Sequence, residues 1–204
     1  AVASSASPER GAATRGVEVI TAREIRELPV STIPEVLEWA LGVDLMPHSP
    51  ALVDVGVRGS TFDQVLVMVD GVRVSDAQTG HFNLNLAIPL DQVERIEVLR
   101  GPGATLHGAD AMGGVIHIVT RRAGGTRASV DAGSFGSVGV AASHSMQSGG
   151  TRWMVGGDLR RSDGHRTGTD LEMLQGRLAL STPLAGRSLD VTLASAARDF
   201  GAKG

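Results

Sequence analysis

Two arginines stand directly before glycines, at Arg58-Gly59 and Arg100-Gly101. Each follows a run in which apolar and polar residues alternate, which is the pattern of a β-strand. Glycine adopts backbone conformations that other residues avoid, so both pairs mark a sharp turn at a strand end. The simplest interpretation is that each arginine caps its turn. A guanidinium group is also well suited to bind a carboxylate through two parallel hydrogen bonds.

Three predicted loops, residues 46–52, 60–64 and 75–85, carry groups that suit ligand binding. Aromatic rings supply apolar contact, and amide and imidazole groups supply hydrogen bonds. If the strands between them alternate in direction, the three stretches lie at one end of a sheet. Each residue, taken alone, is also consistent with a solvated loop. The candidate binding residues are Ser60, Phe62, Gln64, Gln78, His81, Phe82 and Asn83.

Six histidines suggest a metal site, but their spacing does not support one. His81, His107 and His117 lie in separate segments without the spacing of a ligand set, and the chain has no cysteine. Gly101 and Gly103 lack the third glycine of a dinucleotide-binding loop, and no GxSxG nucleophile motif occurs. We therefore predict no metal, no cofactor and no enzymatic activity.

The composition favours an ordered, turn-rich β protein. Of the 204 residues, 27 are glycine and only 3% are aromatic, which suits strands and tight turns better than a helical bundle. The net charge of −3 gives no basic surface, so no nucleic-acid partner is predicted. No apolar run approaches the roughly 20 residues of a membrane helix.

The first half of the chain predicts short helices and strands. Residues 17–20 predict a strand, and Thr21 and Glu24 have the spacing of a helix capping box. A second helix is predicted over residues 31–41, ending at Gly42. Apolar runs then predict further strands, and Asp70-Gly71 between two of them predicts a β-hairpin. The predicted strands of this part are residues 53–57, 65–69, 72–74, 95–99 and 115–119.

From residue 126 onward, segments of about ten residues alternate between apolar and polar positions. This is typical of a transmembrane β-barrel, although a water-soluble antiparallel sheet shows the same alternation. About five strands cannot close a barrel, because an open edge in hydrocarbon leaves backbone groups unpaired. We therefore expect the chain to be part of a longer protein. The segments are residues 127–133, 137–146, 152–160, 171–180 and 188–197.

Four stretches in order resemble one known family. They are VEVITAREIRELPVSTIPEVL (residues 17–37), Arg58-Gly59, VLVMVDGVRV (residues 65–74) and VERIEVLRGPGATLHGADAMGGVIHIVT (residues 93–120). Together they resemble the plug domain of TonB-dependent outer-membrane receptors over about residues 15–124. The sequence of the third stretch most resembles that of cobalamin and ferric-siderophore receptors.

The resemblance implies an α+β plug domain, a small mixed β-sheet with short helices, over residues 17–124. Residues 1–16 are then a flexible arm whose start, Ala1-Val2-Ala3-Ser4, resembles only the tail of a TonB box. We therefore expect the box to be incomplete. Residues 125–204 are then the first antiparallel transmembrane β-strands of an incomplete β-barrel.

The resemblance also implies an active transporter of the outer membrane of Gram-negative bacteria. Such receptors bind a scarce, bulky nutrient such as a ferric siderophore, haem or cobalamin, and the plug gates the barrel. TonB, an energy-transducing protein on the periplasmic side, recognises the box by β-strand addition. The implied partners are TonB, a large nutrient ligand and outer-membrane lipid.

The same resemblance implies roles for the candidate residues. Arginines at the family positions that match Arg58 and Arg100 pair with glutamates of the barrel wall, and we expect a plug–barrel latch here. The end of the plug that carries the three predicted loops faces outward in this family. We therefore expect the seven candidate binding residues to contact the substrate. Two other functions stay open: a soluble β-rich binding or adhesion module, and a TonB-linked signalling receptor.

Overall fold

The computed structural model describes residues 16–49, 51–74, 81, 84–101, 108–121 and 124–201. The chain forms two compact units. The first contains the described residues of 16–48, 52–85 and 93–120, and the second contains those of 49–51, 86–92 and 121–201. The segment Leu86–Gln92 therefore groups with strands that come later in the sequence.

The first unit opens with strand β1 (Val17–Thr21) and helix α1 (Ala22–Glu27). The predicted capping box is present, because the Glu24 amide donates to Thr21 Oγ1 at 3.4 Å and the Thr21 amide donates to Glu24 Oε2 at 2.7 Å. These bonds satisfy amides at the helix start that have no partner within the helix. No helix among the described residues is long and apolar enough to cross a membrane.

Helix α2 spans Ile33–Leu37 and is shorter than the sequence predicts. The Trp39 amide bonds to the Val36 carbonyl, three residues back, so the chain tightens directly after the helix. The predicted continuation of the helix to Leu41 is wrong. The prediction counted Leu41 as part of the buried apolar face, but its side chain is 69% exposed. Gly42 ends the turn that follows, with a φ of 67°.

Strands β2 (Val43–Ser49) and β3 (Leu52–Val57) form a two-stranded sheet. The prediction of a loop over residues 46–52 is therefore wrong at both ends, where the residues belong to β2 and β3. Pro47 lies within β2, and a strand of such a small sheet tolerates the missing amide donor. A short 3-10 helix, Phe62–Gln64, follows β3.

The main sheet of the first unit has five strands in the order β1-β6-β7-β4-β5. Strands β4 and β7 are parallel, and the other three pairs are antiparallel. The predicted small mixed sheet with short helices is confirmed. Its later strands are β4 (Val65–Val69), β5 (Val72–Arg73), β6 (Val93–Arg100) and β7 (Gly114–Thr120).

Strand β7 is the centre of this sheet, and all seven of its residues are buried. Strand β6 pairs with it on one side and β4 on the other. Ile116 and Ile118 of β7 are fully buried, as is Ile96 of β6. Complete burial of one such side chain stabilises the fold by about 1.5–3 kcal/mol. The apolar core of the first unit is therefore built on β7.

The polar side chains of β7 have partners on β6 and in the hairpin turn that follows β4. The Gly71 amide donates to His117 Nε2 at 3.0 Å, so a neutral ring carries its proton on Nδ1, 3.2 Å from Glu97 Oε2. Asp70 accepts from the amide and the hydroxyl of Thr120 at 2.8 and 2.6 Å. Asp70 and Gly71 have φ values of 50° and 85° and form the predicted hairpin turn between β4 and β5.

The second unit contains five antiparallel strands in the order β12-β11-β10-β9-β8. All five predicted segments are confirmed as strands. Along β11, Leu174 and Leu178 are exposed, whereas Gln175 and Arg177 are buried, so the two faces differ in polarity. The strands are β8 (Gly125–Ala132), β9 (Val138–Ser148), β10 (Thr151–Ser162), β11 (Leu171–Leu184) and β12 (Arg187–Phe200).

The segment Leu86–Gln92 lies against the polar face of these strands. The Ser143 hydroxyl donates to Asp91, and the Arg198 guanidinium donates to the Leu86 carbonyl at 3.0 Å. Gln92 is fully buried beside Gly156, where a Cβ atom would lie 2.6 Å from the Gln92 amide nitrogen. The glycine in β10 therefore leaves room for the Gln92 side chain.

We expect Gly156→Ala to destabilise the second unit by about 1–3 kcal/mol, because the added methyl group overlaps Gln92 and the Ala142 carbonyl oxygen. Gly176→Ala is the matched control, since a Cβ there would lie 3.9 Å from its nearest neighbour and should be tolerated. Thermal unfolding of the detergent-folded chain, followed by circular dichroism, measures both effects. Equal destabilisation by the two substitutions would contradict the packing role of Gly156.

Candidate functional site

A buried carboxylate in β3 joins two histidines from separate segments. Asp54 is 2% exposed, and its Oδ2 atom lies 3.1 Å from His48 Nε2 and 2.8 Å from His81 Nδ1. An ionised carboxylate only accepts hydrogen bonds, so both imidazoles donate to it. His48 lies in β2, and His81 belongs to the stretch after β5. One carboxylate thus links three parts of the chain.

An aromatic ring completes this group, which we call the histidine cluster: His48, Asp54, Phe62 and His81. Phe62 stacks on His81, with ring centroids 3.9 Å apart and planes inclined by 28°. The His48 ring stands perpendicular to the His81 ring at 6.5 Å. His48 and His81 are 52% and 37% exposed, so accessible rings surround a buried anion. Such a surface offers both polar and apolar contact to a ligand.

The structure brings together two of the seven predicted binding residues, Phe62 and His81. Ser60 Oγ accepts from a backbone amide of its own turn at 3.0 Å, and the Gln64 carbonyl accepts from the Gly113 amide at 2.9 Å. Both residues therefore stabilise local structure. Ligand contact by any of the seven stays a prediction. The other three, Gln78, Phe82 and Asn83, lie outside the described residues.

Sequence reasoning missed His48 and Asp54. The alternating pattern places Asp54 on the polar side of a strand, and His48 falls within the stretch that predicts a loop. The available signal is a carboxylate inside an apolar strand that is flanked by polar stretches with histidines. Within the described ranges, no group of three or more histidine, aspartate or glutamate residues is arranged to hold a metal ion.

Arg100 ties the end of β6 to the start of β1. Its backbone amide donates to the Gly16 carbonyl at 3.1 Å, and its Nη1 atom lies 3.3 Å from Glu18 Oε2. Nη1 also donates to the Leu41 carbonyl at 3.2 Å, and the Leu41 amide donates to the same Glu18 oxygen at 3.1 Å. Arg100 and Glu18 therefore form part of a closed hydrogen-bonded ring around the first residues of β1.

Arg58 lies in the same region as Arg100. Its backbone amide donates to the Gly42 carbonyl at 2.8 Å. A Cβ atom at Gly42 would lie 3.6 Å from Arg58 Cγ and 3.8 Å from Arg100 Cδ. Both arginines that the sequence proposes as latch residues therefore pack around one glycine, and we call Glu18, Gly42, Arg58 and Arg100 the arginine cluster. The pairing of these arginines with wall glutamates stays a prediction.

Comparison with known sequences identifies similar proteins. A family model described as TonB-dependent Receptor Plug Domain matches residues 10–115. The vitamin B12 transporter BtuB of Vibrio cholerae is 43% identical over 107 residues, which are 52% of this chain and 17% of BtuB. The matched part of the chain thus covers about one sixth of the length of such a relative.

Solved structures share the fold over most of the chain. A mutant of the ferric enterobactin receptor PfeA of Pseudomonas aeruginosa, in complex with enterobactin, matches 91% of this chain and 33% of its own, with a TM-score of 0.69 and 23% identity. The siderophore receptor PirA of Pseudomonas aeruginosa matches 90% of this chain and 35% of its own, with a TM-score of 0.68 and 25% identity. Both similarities extend beyond the first unit into the antiparallel strands.

We expect Arg100→Gln to loosen β1, because the substitution removes the cation that holds Glu18 and the Leu41 carbonyl. Arg73→Gln is the control: its pair with Asp110 is 49% and 68% exposed, and exposed pairs contribute little stability. Hydrogen–deuterium exchange of the chain should show faster exchange of the amides in Val17–Thr21 for the first variant alone. Unchanged exchange there in Arg100→Gln would refute the role of Arg100.

Proposed function

Because the chain belongs to the TonB-dependent receptor plug domain family, we propose that it supplies the plug and first barrel strands of an outer-membrane receptor that imports a bulky nutrient. The family predicted from the four sequence motifs is confirmed. The observation that carries the proposal is the match of the plug-domain family model to residues 10–115, where most of these motifs lie. BtuB is also 43% identical over 107 residues. The relatives are named as transporters and receptors, not as enzymes.

We propose a corrinoid or a ferric siderophore as the nutrient. BtuB is named for vitamin B12, and PfeA and PirA are named for enterobactin and siderophores. BtuB is 43% identical over 107 residues, so a corrinoid is the first substrate to test. Ligand contact through Phe62 and His81 is supported by the accessible stacked rings of the histidine cluster.

We propose that residues 17–124 form the plug and that residues 125–204 cross the outer membrane as barrel strands. Strands β9 to β12 have 11–14 residues, and about 9–11 tilted residues suffice to span a bilayer. Val155, Leu174 and Leu193 are among the exposed apolar side chains of these strands. Lipid would cover such a face, whereas a soluble binding module would leave it in water.

We propose TonB as the energy-supplying partner, acting through the arm of residues 1–16. The arginine cluster supports this, because Arg100 binds the Gly16 carbonyl at the point where the arm leads into β1. A pull on the arm would therefore act first on the bond partners of Arg100. In the proposed latch, Arg58 and Arg100 pair with glutamates of the wall.

We expect the receptor that contains this chain to concentrate its nutrient in Gram-negative cells that lack their own receptors for it. Labelled cyanocobalamin and ferric enterobactin are the two probes, and a proton uncoupler should abolish uptake of the transported one because TonB draws on the proton gradient. Probe binding to intact cells should persist in the uncoupler. Uptake that is insensitive to the uncoupler, or the absence of binding for both probes, would contradict the proposal.

A further inference from the structure

We propose that Asp54 is a positioning residue that orients the histidine cluster as one recognition site, and that this site takes a flat conjugated group of the ligand. This inference rests on the proposed function. It adds His48 and Asp54 to Phe62 and His81, which are two of the seven residues that the sequence places at the substrate. It also assigns different roles to the buried and the accessible members.

Burial separates these roles. Asp54 is 2% exposed, whereas the side chains of His48 and His81 are 52% and 37% exposed. A bulky ligand can therefore reach the imidazole rings but not the carboxylate. We therefore expect Asp54 to influence binding through the rings that donate hydrogen bonds to it, not by touching the ligand.

The geometry of the carboxylate fixes both rings at once. A single oxygen, Oδ2, accepts from His48 at 3.1 Å and from His81 at 2.8 Å. A carboxylate that is removed from water is costly unless charged or polar donors replace the water. The two imidazole donors contribute to this replacement, so the hydrogen bonds to Asp54 favour the observed positions of both rings. Preorganised rings reduce the ordering cost of binding a ligand.

The shape of the accessible surface indicates the ligand chemistry. Phe62 and His81 are stacked with centroids 3.9 Å apart, and the His48 ring stands at right angles to His81. A stacked pair next to a perpendicular ring suits a flat conjugated group, which can contact ring faces and edges. A corrin macrocycle and the catechol rings of enterobactin both have this chemistry.

The test is the uptake kinetics of the full receptor with cyanocobalamin and with ferric enterobactin. Asp54→Asn removes the charge that orients the rings and keeps the side-chain shape. We expect the apparent KM for the transported probe to rise about tenfold, because hydrogen bonds to a charged group are lost, while the maximal rate per receptor is retained. Asp63→Asn is the matched control, since Asp63 is exposed next to Phe62 in the same 3-10 helix, and it should leave KM unchanged.

A double-mutant cycle separates positioning from general stability. His81→Gln should also raise KM, and Asp54→Asn combined with His81→Gln should raise it by less than the product of the two single effects, because both act in part through the His81 ring. His81→Gln alters an accessible side chain and keeps the proposal testable if Asp54→Asn lowers receptor abundance. The probe whose KM changes identifies the ligand as a corrinoid or a catecholate.

Two results would overturn the inference. If the wild-type receptor transports a probe and Asp54→Asn lowers only the maximal rate, in step with receptor abundance, then Asp54 is a structural residue and the proposed function still stands. If the wild-type receptor neither binds nor transports either probe, the proposed function fails, and this inference fails with it.

Discussion

The burial of β7 is the constraint on which the rest of the first unit depends. Strand β7 pairs with a neighbouring strand on each side, and all of its residues are buried. Its polar side chains must therefore find hydrogen-bond partners within the protein. His117 therefore meets Glu97 and the Gly71 amide, and Thr120 meets Asp70. The Asp-Gly turn thus has two functions: it reverses the chain between β4 and β5, and it holds the end of β7.

The same rule links the core to the histidine cluster. Asp54 is as deeply buried as Glu97, and each carboxylate is bound by imidazole. Glu97 is also bound by Arg95, and its imidazole partner His117 is buried. Both imidazole partners of Asp54 are more accessible, at 52% and 37% exposure, so this group presents rings at the surface. In the second unit the polar interior face takes up the segment Leu86–Gln92, so buried polar groups organise both units.

Most of the fold could be predicted from patterns of residues that are close in sequence. The Thr21–Glu24 capping box and the Asp70-Gly71 hairpin depend on residues close in sequence, and the strand alternation after residue 126 is equally local. The predictions failed where contacts between distant residues determine the local structure. The spacing of apolar residues does not show that Leu41 is exposed. Pro47 and its neighbours predict a loop, although they belong to strand β2. Phe62 and His81 were predicted as binding residues, but their assembly with His48 around Asp54 was not, because the two histidines stand 6 and 27 positions from Asp54.

A structure of the full receptor with its transported ligand bound tests the central claim most directly, namely that the chain is a receptor plug whose histidine cluster meets the nutrient. We predict that a flat conjugated part of the ligand contacts Phe62 and His81, while Asp54 stays behind the imidazole rings without touching the ligand. A ligand bound with no contact to Phe62, His81 or His48 would contradict it.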